Sequence, residues 1–169
     1  MTYAIVYSSR TGNTQRLAMT IRDSLPAEEC LYCGFPTSEA LAADVLYVGF
    51  WTDKGDCDPT VADFLRQITG QKLFLFGTAG FGGAPEYFTR IVERVCGHLP
   101  RHVSPAAWYM CQGKMPETVR TRYEALPEGP HRTAMLENFD RALSHPSQED
   151  LDALSAAVRA AYRRNSSYT

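Results

Sequence analysis

The sequence predicts an α/β protein, an open doubly wound parallel sheet with helices on both faces. Three observations carry this. Short apolar runs alternate with segments of helical spacing. The loops leaving the first, third and fourth runs are rich in glycine, threonine and aromatic residues. The third run, Val45-Leu46-Tyr47-Val48-Gly49-Phe50, is apolar without a break, as suits a central strand covered on both sides.

Length and composition narrow the class. The 169 residues suffice for one domain with a sizeable core, and 44% apolar and 21% charged residues are globular values. A single domain over residues 1–169 is expected. No run approaches the roughly eighteen apolar residues of a membrane span, and the chain opens on a strand rather than on a signal peptide. A cytoplasmic location without a membrane partner is therefore expected. The net charge of −2, with no basic tract, argues against nucleic acid. The five cysteines are an odd number without the density of a disulfide framework, so reduced thiols are expected. His98, His102, His131 and His145 show no HxxH or HxxxH spacing, and no metal site is expected.

The first strand, residues 3 to 8, is too short for a helix and rich in strand formers. From Asn13 the spacing becomes helical, with Leu17, Ile21 and Leu25 on one face. The turn between them carries Ser9, Arg10, Thr11, Gly12, Asn13 and Thr14. Four hydroxyl or amide side chains and a glycine at a helix N-terminus suit a phosphate monoester. An ordinary capped turn is the plainer alternative. No lysine follows Gly12 as a P-loop requires, a dinucleotide fingerprint would need more glycines, and residues 1–14 hold no cysteine nucleophile.

Glu29 to Cys33 reads as the second strand. Cys30 and Cys33, three apart, should then face opposite sides of the sheet and open no helix, which makes them structural. The third strand, Asp44 to Phe50, leads into a polar loop introduced by Trp51. Asp58-Pro59 supplies an N-cap and first turn for a helix through Val61, Phe64, Leu65 and Ile68. The fourth strand, Lys72 to Gly77, ends in a loop from Thr78 to Ala84. Its three glycines permit positive φ and close approach to a planar ligand. A helix over residues 85–96 and a fifth strand from Ala106 to Cys111 follow, then the turn Gln112-Gly113-Lys114-Met115-Pro116. Residues 116–125 and 134–143 read as helices within an insertion of about 112–146. The last helix runs from Ser147 to about Arg163, opened by an acidic capping box, with Asn165 onward frayed.

Residues 9–14 resemble the (S/T)-x-T-G-N-T phosphate loop of the flavodoxin family. Trp51 with Asp53 is similar to that family's W-G-D loop, and Gly80-Phe81-Gly82-Gly83 stands where its second flavin loop lies. The resemblance implies a three-layer, five-stranded sheet of order 2-1-3-4-5 and flavin mononucleotide (FMN) as cofactor. It implies that Ser9, Arg10, Thr11, Gly12, Asn13 and Thr14 hold the phosphate and that Trp51 stacks on the flavin. Thr52, Asp53, Lys54 and Gly55, with Thr78, Ala79, Gly80, Phe81, Gly82 and Gly83, would meet its polar edge. Gln112, Gly113 and Lys114 would emerge at the same edge. No residue is assigned to catalysis.

Three positions depart from the family. Arg10 is unusual in the phosphate loop. Tyr87 stands too far into its helix to replace the family's usual tyrosine, leaving Phe81. Thr52 occupies the place of a glycine that adopts positive φ, which a β-branched residue resists, so a flavin closer to a two-electron carrier is expected. The loop GTAGFGG (77–83) and the turn CQGKMP (111–116) are similar to those of small flavodoxin-like proteins associated with bilirubin reductase. That implies supplying electrons for reduction of a linear tetrapyrrole, through a partner reductase docking near the flavin edge and the insertion. The alternatives are an FMN-dependent NAD(P)H:quinone-type oxidoreductase and a flavin-free interaction module. The oligomeric state stays open.

Overall fold

A computed structural model describes residues 1–167. Five parallel strands, β1 (Tyr3–Tyr7), β2 (Cys30–Gly34), β3 (Val45–Trp51), β4 (Lys72–Ala79) and β5 (Ala107–Gln112), form one sheet of order β2-β1-β3-β4-β5. Helices α1 (Asn13–Ser24) and α6 (Gln148–Ser166) cover one face, and α2 (Pro59–Leu65) and α3 (Pro85–Cys96) the other. Strand alternation divides the core between them. Tyr3 and Ile5 of β1 join Leu17, Ile21, Leu154 and Val158, while Ala4 and Val6 join Val61, Phe64, Ile91 and Val95. Both faces being buried explains the unbroken apolar runs.

At the carboxyl end of the sheet β3 and β4 interlock. Gly49 pairs with Phe76 and Phe50 with Gly77. Each ring fills the space a Cβ would need on the opposite glycine, with Phe50 in one core layer and Phe76 in the other.

The central strands extend past their sequence-predicted ends. Trp51 pairs with Thr78, and Ala79 pairs with Gln112, so the loop after β4 begins at Gly80 rather than Thr78. Strand β2 corrects the reading of its cysteines. Its register against β1 shifts between Tyr3↔Cys30 and Ala4↔Tyr32, so Leu31 is extruded and 53% exposed. The extra residue restores parity, and Cys30 and Cys33 pack against the same core layer instead of opposite ones. Burial beside Cys30 pushes the Cys33 thiol up, as expected of an unreactive structural cysteine.

Helix α2 ends at Leu65, with Ile68 buried in the turn beyond it. Helix α6 starts on a complete capping box. Ser147 Oγ accepts from the Asp150 amide at 3.2 Å, and Asp150 Oδ2 accepts from the Ser147 amide at 2.7 Å. It runs on through Asn165 and Ser166, where fraying was expected; residues 168 and 169 lie outside the described residues. Between β5 and α6 lie α4 (Glu117–Glu124) and α5 (Pro130–Ala142), the latter starting earlier than its apolar spacing because Pro130 suits a first helical turn. Helix α5 buries Asn138, Phe139 and Ala142, whereas α4 buries no residue. Among the described residues no helix is long and apolar enough to cross a membrane.

Candidate cofactor cleft

The carboxyl ends of β1, β3, β4 and β5 open into one cleft of about 360 Å³. Each strand contributes the loop that follows it, as expected for ligand sites on open sheets. Arg10, Thr11 and Asn13 form one end. Trp51 through Gly55 and Thr78 through Phe81 form the long sides, with Gly113 and Lys114 contributed by the turn after β5. Met115, Pro116, Thr118, Val119, Arg122 and Tyr123 close the far wall from the start of the insertion.

The remaining sequence-predicted residues stand behind this lining. Ser9 Oγ accepts from the amides of Gly12 at 3.1 Å and Gln15 at 3.3 Å, which shapes the turn. Gly12 holds φ of 89°, a left-handed conformation that favours glycine. Thr14 is fully buried. Its hydroxyl donates to the Phe50 carbonyl at 3.2 Å and accepts from Thr78 Oγ1 at 3.1 Å, leaving only its backbone amide for a ligand. Gln112 Nε2 donates to the Gly80 carbonyl at 2.9 Å, which also accepts from Asn138 Nδ2 at 3.0 Å. Gly82 packs under Gln112, and Gly83 lies beside Pro85, Phe88 and Trp108 in a separate apolar groove.

The turn end suits an anion. The first turn of α1 contains no acidic residue, so its free amides and positive potential are uncompensated. Asn13 Nδ2 donates to the Lys114 carbonyl at 2.8 Å, and a Cβ on Gly113 would collide with that amide. The turn is thereby stitched to the end of β5. Charge continues the pattern: Arg10, Lys54, Lys114 and Arg122 line the cleft against Asp53 alone. None of these four cations forms an ion pair among the described residues. The Arg10 guanidinium lies 5.6 Å from the Trp51 ring centre, within cation–π range.

The long sides suit a flat ring. Trp51 is half-buried at the end of β3. Phe81 meets Tyr87 edge-on, with ring centres 6.2 Å apart. Tyr87 was set aside from sequence as too deep in its helix; the structure puts it in the first turn of α3, lining the cleft. Burial raises its hydroxyl pKa, so the ring stays neutral. The loop after β3 closes by mutual backbone bonds between Asp53 and Asp56, 2.8 and 3.0 Å. Lys54 and Gly55 carry its positive φ values of 50° and 81°, as a type I′ turn requires. Thr52 is instead pinned to β4, its amide and hydroxyl donating to the Thr78 carbonyl at 3.0 and 2.8 Å. The insertion was expected near the flavin edge, but Met115, Val119, Arg122 and Tyr123 were not named as its lining, which tertiary placement brings about.

A sheet of this order, with loops from four strands converging on such a cleft, defines a flavodoxin-type protein. The chain belongs to the flavodoxin domain family, whose profile matches residues 4–159. It is 40% identical over 174 residues to the flavodoxin-like domain-containing protein BilS of Clostridium symbiosum (strain WAL-14163), covering 90% of this chain and 92% of that one. A second BilS, from Clostridioides difficile (strain CD3), is 30% identical over 158 residues, covering 87% and 88%. Among solved structures, a short-chain flavodoxin associated with a non-canonical PDU bacterial microcompartment shares the fold. Its TM-score is 0.53 at 20% identity, covering 85% of this chain and 96% of that one.

Proposed function

We propose that this chain binds FMN and transfers electrons to a partner reductase. The observation that carries the reading is the junction of two recognition chemistries in one cleft. A carboxylate-free turn at a helix N-terminus adjoins walls built from Trp51, Phe81 and Tyr87. A phosphorylated planar ring system satisfies both. FMN would supply the redox chemistry when bound, and the protein sets its position and surroundings. In this reading the amides of the 9–14 turn, Thr11 and Arg10 hold the phosphate, Trp51 and Tyr87 flank the ring, and the Asp53–Asp56 turn meets its polar edge. Cytoplasmic action follows from the same reading.

The unpaired cations bear on the partner. Although the chain carries −2 overall, the cleft mouth presents Arg10, Lys54, Lys114 and Arg122. That favours a partner whose docking face is acidic. The likeness of loops 77–83 and 111–116 to proteins associated with bilirubin reductase makes linear tetrapyrrole reduction the reaction we assign to the pair. Helix α4, exposed and lining the cleft, is the element the partner would touch.

Purified protein should be yellow and release FMN rather than FAD. Thr121→Glu, at an exposed position of α4 outside the cleft lining, should retain FMN while lowering partner-dependent turnover. Removing residues 117–143 would be a poorer test, because it takes away Asn138 and Phe139, which are buried. Colourless protein that refuses micromolar FMN would end the cofactor reading. Rapid reduction by NADPH without a partner would favour a self-sufficient oxidoreductase.

A further inference from the structure

We propose that Asp56, Cys57 and His98 form a site for a divalent metal ion of the zinc class, joining the loop after β3 to the end of α3. A carboxylate oxygen, the Cys57 sulfur and an imidazole nitrogen lie within 4.8 Å of one another. His98 Nε2 stands 3.1 and 3.0 Å from the two Asp56 oxygens. The fold brings these groups together across 42 positions of sequence, a proximity the spacing of histidines could not disclose. Mixed oxygen, sulfur and nitrogen donors suit zinc, whereas calcium and magnesium take oxygen ligands.

A second observation comes from the next residue. Asp58 is 8% exposed, and its Oδ1 has no hydrogen-bond partner. It occupies the N-cap of α2 yet makes no capping bond. A buried carboxylate oxygen without a donor is costly. A cation bound through Cys57 supplies its counter-charge, with Asp58 reached through a metal-bound water.

The opposing group is Arg66, whose Nη2 lies 3.2 Å from His98 Nδ1. It is 54% exposed and already paired with Asp63, so it can withdraw into solvent. On metal binding the Cys57 thiol releases its proton to solvent, and the neutral imidazole carries its proton on Nδ1 while Nε2 binds the ion. The bound ion would fasten the cleft's side loop to α3, whether or not the cleft holds a flavin.

The test uses the whole chain after dialysis against a chelator, titrated with Co²⁺ and then Zn²⁺. One equivalent of Co²⁺ should produce sulfur-to-cobalt charge-transfer absorption that Zn²⁺ abolishes. Cys57→Ser should lose the band, and His98→Asn should weaken binding even where the Cys57 variant folds poorly. Asp58→Asn, acting from outside the ligand set, should weaken it about ten-fold. A Cys30→Ser/Cys33→Ser variant should keep the band. No saturable band in folded wild-type protein, or a band that survives in folded Cys57→Ser, would overturn the proposal.

Discussion

The two ends of the cleft are built in opposite ways. At the β1–α1 end the recognition groups are tied into the sheet. Asn13 and Thr14 are buried, and their side chains bond to the end of β5, to β3 and to β4. At the other end α4 buries nothing. It is held by Arg120, which bonds Glu124 and Asp140 and lies over Phe139, and by Met115 wedged between Gly80 and Tyr123. The end suited to an anion is therefore part of the folding core, while the far wall is an exposed arm on the anchor α5. In the function proposed above, a fold arranged this way would keep its grip on the phosphate constant and leave its outer wall free to fit the partner.

The largest effect should separate the two ends by stability. Thr14→Val keeps the shape but leaves the buried Thr78 hydroxyl without its Thr14 partner and takes a second hydrogen bond from the Phe50 carbonyl. It should cost about 1–3 kcal/mol, read as a fall in Tm of roughly 2–4 °C per kcal/mol. Tyr123→Ala, on the arm, should change stability by about 0.5 kcal/mol or less. Equal losses would erase the contrast.

Next in size is ligand discrimination. Thr11→Ala should weaken FMN about ten-fold, the loss of one hydrogen bond to a charged group, and leave riboflavin untouched. Equal weakening of both would place the phosphate elsewhere. Thr14 was expected to share this role, but its hydroxyl faces the core. A change there should reduce both ligands through the fold.

A smaller effect concerns Arg10. Its guanidinium either pairs with the phosphate or stays on Trp51, and Arg10→Ala distinguishes them by the salt dependence of FMN binding. A shallower slope is expected, because screening then has one charge fewer to act on. An unchanged slope would leave Arg10 on the tryptophan. Smallest of all, Arg120→Ala should hardly move Tm yet speed amide exchange across α4, with α1 unaffected. Lost protection in both helices would show that the arm is not a separate unit.

How much was legible in the sequence follows the same division. The strands, the cleft's position and most of its β1, β3 and β4 lining were readable, because strand periodicity and the 9–14 turn are local signals. The sheet order followed only from the family resemblance. Strand ends were misplaced because Thr78 and Ala79 look like loop residues until β5 pairs with them. The same-face packing of Cys30 and Cys33 depends on a register shift against β1, which no spacing within β2 reveals. Tyr87 and the α4 wall reach the cleft only through tertiary placement. The approach of His98 to Asp56 and Cys57 likewise joins groups 42 positions apart, which no local spacing reveals.

The interlocked rings of Phe50 and Phe76 reach beyond this one molecule. Each needs a bare backbone on the adjacent strand, at Gly77 and Gly49. A side chain larger than hydrogen at either glycine displaces a ring that floors one core layer just under the cleft. A smaller residue at either ring leaves a void costing several kcal/mol, roughly 3–5 for loss of a whole phenylalanine. Neither member of a pair has an easy first step, so mutational drift should pass through these four positions two at a time. Among homologous chains, Gly49 should covary with Phe76 and Phe50 with Gly77.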